Sequence, residues 1–148
     1  MDVGSRDEEG EAYETDAEWE ASHQWDSSNR VSTGVEAVNL LVHNCLARFG
    51  IYIDSHKGDV RMHLQLSSGL RSYGEGQRAY MVIMQRISVR PSRRRQGLAS
   101  QVLQSISAAA NQRGMKLMIQ PVISSEMVSL LSKLQAARLP HDESSYVM

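Results

Sequence analysis

Ile87-Ser88-Val89-Arg90-Pro91-Ser92-Arg93-Arg94-Arg95-Gln96-Gly97-Leu98-Ala99-Ser100 joins an apolar, strand-like run to a helix-like one, and the rest of the chain can be placed relative to that junction. Three consecutive arginines and a glycine fall between the two elements, so positive charge and main-chain N–H groups converge on one spot. That combination holds a phosphate or pyrophosphate. Gly97 lets the backbone approach a ligand closely, Ala99 keeps the first helical turn thin, and the helix dipole places roughly half a positive charge at that end. The alternative reading is a basic, solvated turn that happens to precede a helix.

On either side the apolar pattern is clear. Tyr80 to Val89 is dense enough in apolar residues for a central strand buried on both faces. Gln96 to Arg113 spaces Leu98, Val102, Leu103, Ile106 and Ala110 as a helix with one inward face, and Gly114 is a natural C-terminal cap. Met115 to Val122 reads as the next strand. Strand, helix, strand with a right-handed crossover makes the two strands parallel neighbours, with the helix N-terminus at the end where a ligand would lie.

Val89-x-Pro91 followed by Arg94-Arg95-Gln96-Gly97-Leu98-Ala99 resembles the acyl-CoA signature of the GNAT superfamily of N-acyltransferases, a strand with V-x-P and then Q/R-x-x-G-x-G/A opening a helix. The resemblance implies an α+β fold: a mixed, mostly antiparallel central sheet with helices on both faces and a splayed parallel strand pair at the CoA site. It implies acetyl-CoA as co-substrate, with Ile87, Ser88 and Val89 along the pantetheine arm and Arg94, Arg95, Gln96, Gly97, Leu98, Ala99 and Ser100 around the pyrophosphate. It implies transfer of an acetyl group to an amine, and no metal. A second family segment, N-x-x-A-x-x-L-Y-x-K-x-G-F, is matched at Leu130 and Lys133. Leu131 stands at its tyrosine, which protonates the departing thiolate, Ser124 at its asparagine, and Gln135-Ala136 replace Gly-Phe. The resemblance covers Arg78 to about Pro140 well and Val31 to Gln77 loosely.

Acyl transfer needs a neutral amine, a polarised thioester carbonyl and a proton for the leaving sulfur. His63, Glu75, Tyr80, Ser124, Ser125 and Tyr146 carry suitable groups, and no spacing singles one out. A CoA-binding module without turnover, or a protein contacting nucleic acid through Arg93 to Arg95, are the competing functional classes.

The net charge of −1 conceals a split. Residues 1–30 carry ten acidic side chains against Arg6 and Arg30, a charge of −8, and residues 31–148 carry fourteen Lys and Arg against seven Asp and Glu, a charge of +7. The first 30 residues are expected to be an acidic arm, disordered or loosely helical. Trp19 and Trp25 either dock it or stay solvated, and an arm so charged can fold back near Arg93, Arg94 and Arg95. Residues 31–148 are expected to form one domain. Few carboxylates in that body favour a protein, peptide or nucleic-acid-linked amine over a small cationic one. A homodimer is left open.

Cys45, the single cysteine, excludes an internal disulfide framework and sits within an apolar helical pattern. No apolar run reaches the length of a membrane span and the N-terminus is acidic, which predicts no membrane partner, no signal peptide and a cytoplasmic setting. Ser32-Thr33 with Glu36 forms a capping box for a helix to about Arg48, with Val35, Val38, Leu41, Val42, Cys45 and Leu46 on its apolar face and His43 on its surface. Ile51 to Ile53 and Val60 to Leu66 read as strands about a turn at residues 56–59, and Ser67 to Gln77 as a flexible connection. Ser124-Ser125 caps a last helix with Met127, Leu130, Leu131, Leu134 and Ala137 on its apolar side, and the tail after Pro140 is expected to add one edge strand.

Overall fold

The computed structural model describes residues 14–24, 30–43, 50–122, 124–140 and 142–148. Trp25, Cys45, Leu46 and Arg48, to which the sequence analysis gives places, lie outside them. Six strands form one sheet in the order β1-β2-β5-β6-β8-β7. They are β1 (Ile51–Ser55), β2 (Val60–Leu66), β5 (Met81–Val89), β6 (Lys116–Ile119), β7 (Ala137–Leu139) and β8 (Asp142–Val147). β5 and β6 run parallel from Met81 opposite Lys116 to Met84 opposite Ile119, and the other pairs are antiparallel. This is the mixed, mostly antiparallel sheet with a parallel pair that the sequence predicts.

One face of the sheet carries α2 (Gly34–His43) and α3 (Leu98–Gln112). All five inward residues expected on α3 are buried, beside Val60, Met62, Leu64, Val82 and Met84 from the strands. Gly34 is the contact point between the two helices: its N–H donates to Ser105 Oγ at 2.7 Å, and a Cβ there would stand 2.3 Å from the Ser105 carbonyl carbon. α2 therefore packs chiefly on α3 rather than on the sheet alone. Its N-terminus is held as expected, with the Glu36 carboxylate accepting from Ser32 and Thr33. Val35, expected on the apolar face, is 49% exposed, and Ala37 is buried in the core in its stead.

Three further elements depart from the sequence reading. Within the expected flexible connection, β3 (Arg71–Gly74) and β4 (Gln77–Ala79) form a hairpin about Glu75 and Gly76, whose φ of 69° suits a tight turn. Tyr73 of that hairpin packs on Met81, Ile83, Met118, Leu139 and Val147, a second apolar cluster. The tail supplies β8, which is interior to the sheet, with β7 at the edge; buried Tyr146 and Val147 explain why β8 is the covered strand. On α4 (Ser125–Lys133), Leu131 is fully buried, Met127, Leu130 and Leu134 are half-buried, and Ala137 falls in β7.

The N-terminal segment, expected to be disordered or loosely helical with Trp19 either docked or solvated, is docked through Trp19 over residues 14–24. Residues Asp16–Ser22 form a helix, α1, opened by a complete capping box in which Thr15 and Glu18 bond each other's main chain. Seven residues are too few to hold a helix in water, so its stability comes from docking. Trp19 is 0% exposed, donates its Nε1–H to Ser88 Oγ at 2.8 Å, and has the guanidinium groups of Arg61 and Arg90 over its ring at 4.8 and 4.9 Å. Since Arg61 and Ser88 alternate with the core-facing residues of their strands, α1 covers the opposite face of the sheet. Among the described residues no helix is long and apolar enough to cross a membrane.

Candidate active site

The site starts from an irregularity in β5. Leu64 pairs with Met84 but His63 pairs with Arg86, so Gln85 is an extra residue on the β5 side. Such a bulge shifts the alternation by one. Val82 and Met84 face α2 and α3 before it, and Ile87 and Val89 do so after it. Arg86, Ser88 and Arg90 are thereby turned to the α1 face. β6 ends at Ile119, so β5 beyond Met84 has β2 on one side and no described strand on the other. Arg90 N–H bonds Asp59 in the turn between β1 and β2, which by alternation aims the main-chain groups of Ile87 and Val89 at the open side.

The loop after β5 is shaped by its own residues. Pro91–Arg93 make one 3-10 turn, Arg95 has a φ of 65°, and Gly97 has a φ of 80° at the N-cap of α3. No side chain caps this helix. In contrast, Ser124 Oγ accepts from Met127 N–H at the start of α4. The first-turn amides of α3 therefore look outward without a side-chain acceptor, with the positive end of a 15-residue helix behind them.

Those amides face a cavity of about 650 Å³. Ile87, Ser88, Val89, Arg94, Arg95, Gly97, Leu98, Ala99 and Ser100 line it, joined by Arg93 and, from the α4 side, Ser124, Glu126, Met127 and Leu130. Of the residues singled out for the cofactor, Gln96 alone is not in its wall; its side chain accepts from Arg93 Nε at 3.0 Å. Two of the three arginines already have partners. Arg93 is 2.6 Å from Asp59, and Arg94 donates from Nε to the Val89 carbonyl at 2.8 Å while its Nη2 lies 3.5 Å from Glu14.

A second cavity of about 380 Å³ shares Ile87, Ser88, Ser124 and Met127 with the first. Its remaining wall is Ser22 and His23 at the end of α1, Met84, Gln85 and Arg86 at the bulge, and Ile119, Pro121 and Val122 after β6. Of the candidate catalytic groups, the structure brings only Ser124 to these cavities. Tyr80 is 52% exposed just before β5, Glu75 is in the hairpin turn, and His63 stacks on Tyr52 at 4.6 Å. Ser125 begins α4 outside both linings, and Tyr146 is buried with its hydroxyl accepting from Arg138. Leu131 points into the core; α4 turns Met127 toward the shared wall and Leu130 toward the first cavity alone.

Ion pairs hold α1 over this region. Glu20 bonds Arg61 and Arg90, each at 2.7 Å, and Asp59 bonds Arg90 at 2.7 Å. Hydrogen bonds from Arg61 and then Arg90 keep the Glu20 carboxyl below the usual carboxylate range. Asp16 is lowered chiefly by Ser92, whose hydroxyl and N–H donate to it at 2.6 and 2.9 Å. Arg90 is raised, first by Asp59 and then by Glu20. Sequence reasoning left Gln85, Arg86 and the α1 residues out of the site, although Thr15 and Glu18 stand at capping-box spacing before Trp19. Among the described residues no cluster of His, Cys, Asp or Glu is arranged to hold a metal.

No family model matches this chain, and no curated protein matches it. Solved structures that superpose on it include the toxin AtaT complexed with acetyl-methionyl-tRNAfMet, with a TM-score of 0.48 and 14% identity over 84% of this chain and 85% of that one. Another is the KacTA–DNA complex, with a TM-score of 0.47 and 14% identity over 85% and 83% of the two chains. A third is a mutant of AtaT bound to the C-terminus of the antitoxin AtaR and acetyl-CoA, with a TM-score of 0.45 and 14% identity; there this chain spans 58% of its match and 60% of itself is covered. At this level of superposition the likeness assigns no family, activity or residue role to the present chain.

Proposed function

We propose that this chain is an N-acyltransferase of the GNAT type, moving an acetyl group from acetyl-CoA to an amine carried on a protein, peptide or nucleic acid. The observation that supports it most is the uncapped N-terminus of α3 opening on a large cavity whose other wall is the open edge of β5. The pyrophosphate fits the amides of Leu98, Ala99 and Ser100, with Arg94 and Arg95 beside it. The pantetheine arm fits along Ile87 and Val89, whose main-chain groups pair with it as a strand would; Arg94 must then leave the Val89 carbonyl. That course brings the thioester to the wall shared by the two cavities, at Ser88 and Ser124.

There Ser124 has the geometry of a proton donor to the leaving thiolate. Its oxygen accepts the Met127 N–H, which directs its own O–H away from the helix. The second cavity receives the amine. Among the described residues its wall contains Arg86 and no Asp or Glu, so it does not favour a small polycation, and an acceptor with negative charge near its amine suits it better. A CoA-binding role without turnover is the second reading, favoured by the apolar Met127 on the shared wall, where a stronger acid would speed the reaction.

Calorimetry with acetyl-CoA and with duplex DNA or RNA, followed by thiol release over a panel of peptide, aminoacyl and small amines, separates these readings. Acetyl-CoA binding with thiol release is the expected result. Binding with no release for any amine supports the inactive module, and binding of nucleic acid alone overturns both.

A further inference from the structure

We propose that His23, supplied by the N-terminal segment, accepts the proton of the amine in the second cavity, so that α1 completes the active site. The inference rests on the acyltransferase reading above and adds the general base that this reading lacks. Three observations carry it: where the ring lies, how it is held, and what else lines the same wall.

The half-buried imidazole of His23 borders the cavity opposite Gln85, Arg86 and Ser124. It stacks on Trp19 at 4.8 Å with 22° between the planes. Trp19 is itself locked by burial and by its bond to Ser88, a strand residue that lines both cavities. The His23 carbonyl accepts from Arg61 Nη1, which fixes the main chain as well. A ring held by its stack, its backbone and its neighbour's side chain is positioned before any substrate arrives.

The tautomer follows from the acceptor at Nδ1. That nitrogen is 2.9 Å from the Trp19 carbonyl oxygen, which can only accept, so Nδ1 carries the hydrogen and Nε2 is the basic nitrogen. Ser22 Oγ donates to the same carbonyl at 3.1 Å, and its contact with Nδ1 at 2.9 Å agrees with this assignment. Among the lining residues only His23 and Arg86 ionise, and an arginine stays charged throughout the physiological range. Charged groups beside the ring among the described residues are Arg61, whose Nη1 bonds the His23 carbonyl, Arg86 in the same cavity wall, and Arg90 and Glu20, which pair with each other next to Trp19.

In the reaction, Nε2 takes one proton from the acceptor ammonium. The amine lone pair forms the new C–N bond at the thioester carbonyl carbon as the C–S bond breaks. The departing sulfur takes the second amine proton through the Ser124 hydroxyl, leaving an amide, free CoA thiol and one proton that His23 releases to water.

The test uses the full chain, His23→Gln and His23→Ala. For the wild type, kcat/KM for the amine should rise with pH along a limb that reports deprotonation of the base. In His23→Gln that limb should vanish and the rate should fall about a hundredfold, the usual scale for losing a general base. The KM for acetyl-CoA should not move, and added imidazole should restore part of the rate of His23→Ala. Independently of turnover, the imidazole proton resonance of His23 should shift when acetyl-CoA is added and stay in place with ADP, which reaches only the pyrophosphate half. A wild-type pH profile in His23→Gln, or a resonance unmoved by bound acetyl-CoA, overturns the role of His23 and leaves the acyltransferase reading standing. A wild-type protein that neither binds acetyl-CoA nor releases thiol overturns both.

Discussion

The two cavities share a wall but are built in opposite ways. The one at Gly97 is made largely from a single run, residues 87–100, in which strand end, turn and helix start follow one another. The one at His23 draws on three separated pieces of chain: the end of α1, the bulge of β5, and the run from the end of β6 to the start of α4. A site made from consecutive residues depends on local geometry, and a site made from distant ones depends on everything that docks them. Substitutions in the first should therefore act on binding with little effect on folding, and substitutions that undock α1 should act on the second while sparing the first.

The largest effect is expected at Gly97. A Cβ there meets nothing within 4 Å, so Gly97→Glu is sterically tolerated and costs only the αL strain of about 1–2 kcal/mol. Its carboxylate would stand where the donor's phosphates belong. Calorimetry should show acetyl-CoA affinity falling at least about a hundredfold, the loss of several kcal/mol of charge-assisted contacts, with an unchanged near-UV spectrum. Unchanged affinity would remove the pyrophosphate from this loop.

Trp19→Ala should come next and should distinguish the halves. Emptying a fully buried tryptophan site costs about 3–5 kcal/mol, more than a seven-residue helix can recover elsewhere. Hydrogen exchange should show residues 16–22 unprotected, and turnover should fall about as far as in His23→Gln, the base being lost in both. Acetyl-CoA affinity should change little. If donor binding collapses equally, the two halves are not separable.

Ser124→Asn keeps a side-chain acceptor for the Met127 N–H and removes the hydroxyl, so α4 should persist while kcat falls. Loss of one proton donor of this kind should cost about tenfold or more, read as lower kcat at unchanged KM for acetyl-CoA. No change would assign the proton to water.

Docking of α1 should also depend on acid. Asp16 and Glu20 both have folded pKa values held below their ordinary ones. The stability they give is thus fully present above about pH 4 and is lost as the pH falls through the lowered values. Trp19 fluorescence in a Trp25→Phe background should report release of the helix only in that acid window. The smallest effect is expected at Glu14, whose pairing with Arg94 is loose and part-exposed. Glu14→Gln should tighten acetyl-CoA no more than about fivefold at low salt, with the gain gone at high salt.

The same contrast explains what the sequence could and could not tell. The Gly97 loop was legible because its ingredients are adjacent, and α3 because its apolar spacing is long and regular. The β5 bulge left a trace: the apolar positions run Val82, Met84, then Ile87 and Val89, a slip of one in an alternating strand. Read as an unbroken strand, that run hides which residues face α1. The arm's charge of −8 favours disorder, while its tryptophans leave docking open. Its burial depends on Arg61, Arg90 and Ser88, distant in sequence, and no local property of residues 14–24 contains them. The short β3–β4 hairpin has too few residues for its alternation to register.

The claim that an acyl donor lies along the open edge of β5, with its pyrophosphate on α3, is tested most directly by following backbone amide resonances as acetyl-CoA is added. The account predicts the largest shifts at Ile87 and Val89 and at Leu98, Ala99 and Ser100, saturating together, with the N-terminus of α2 unmoved. Shifts centred elsewhere, or none at these five amides at saturating acetyl-CoA, would contradict it.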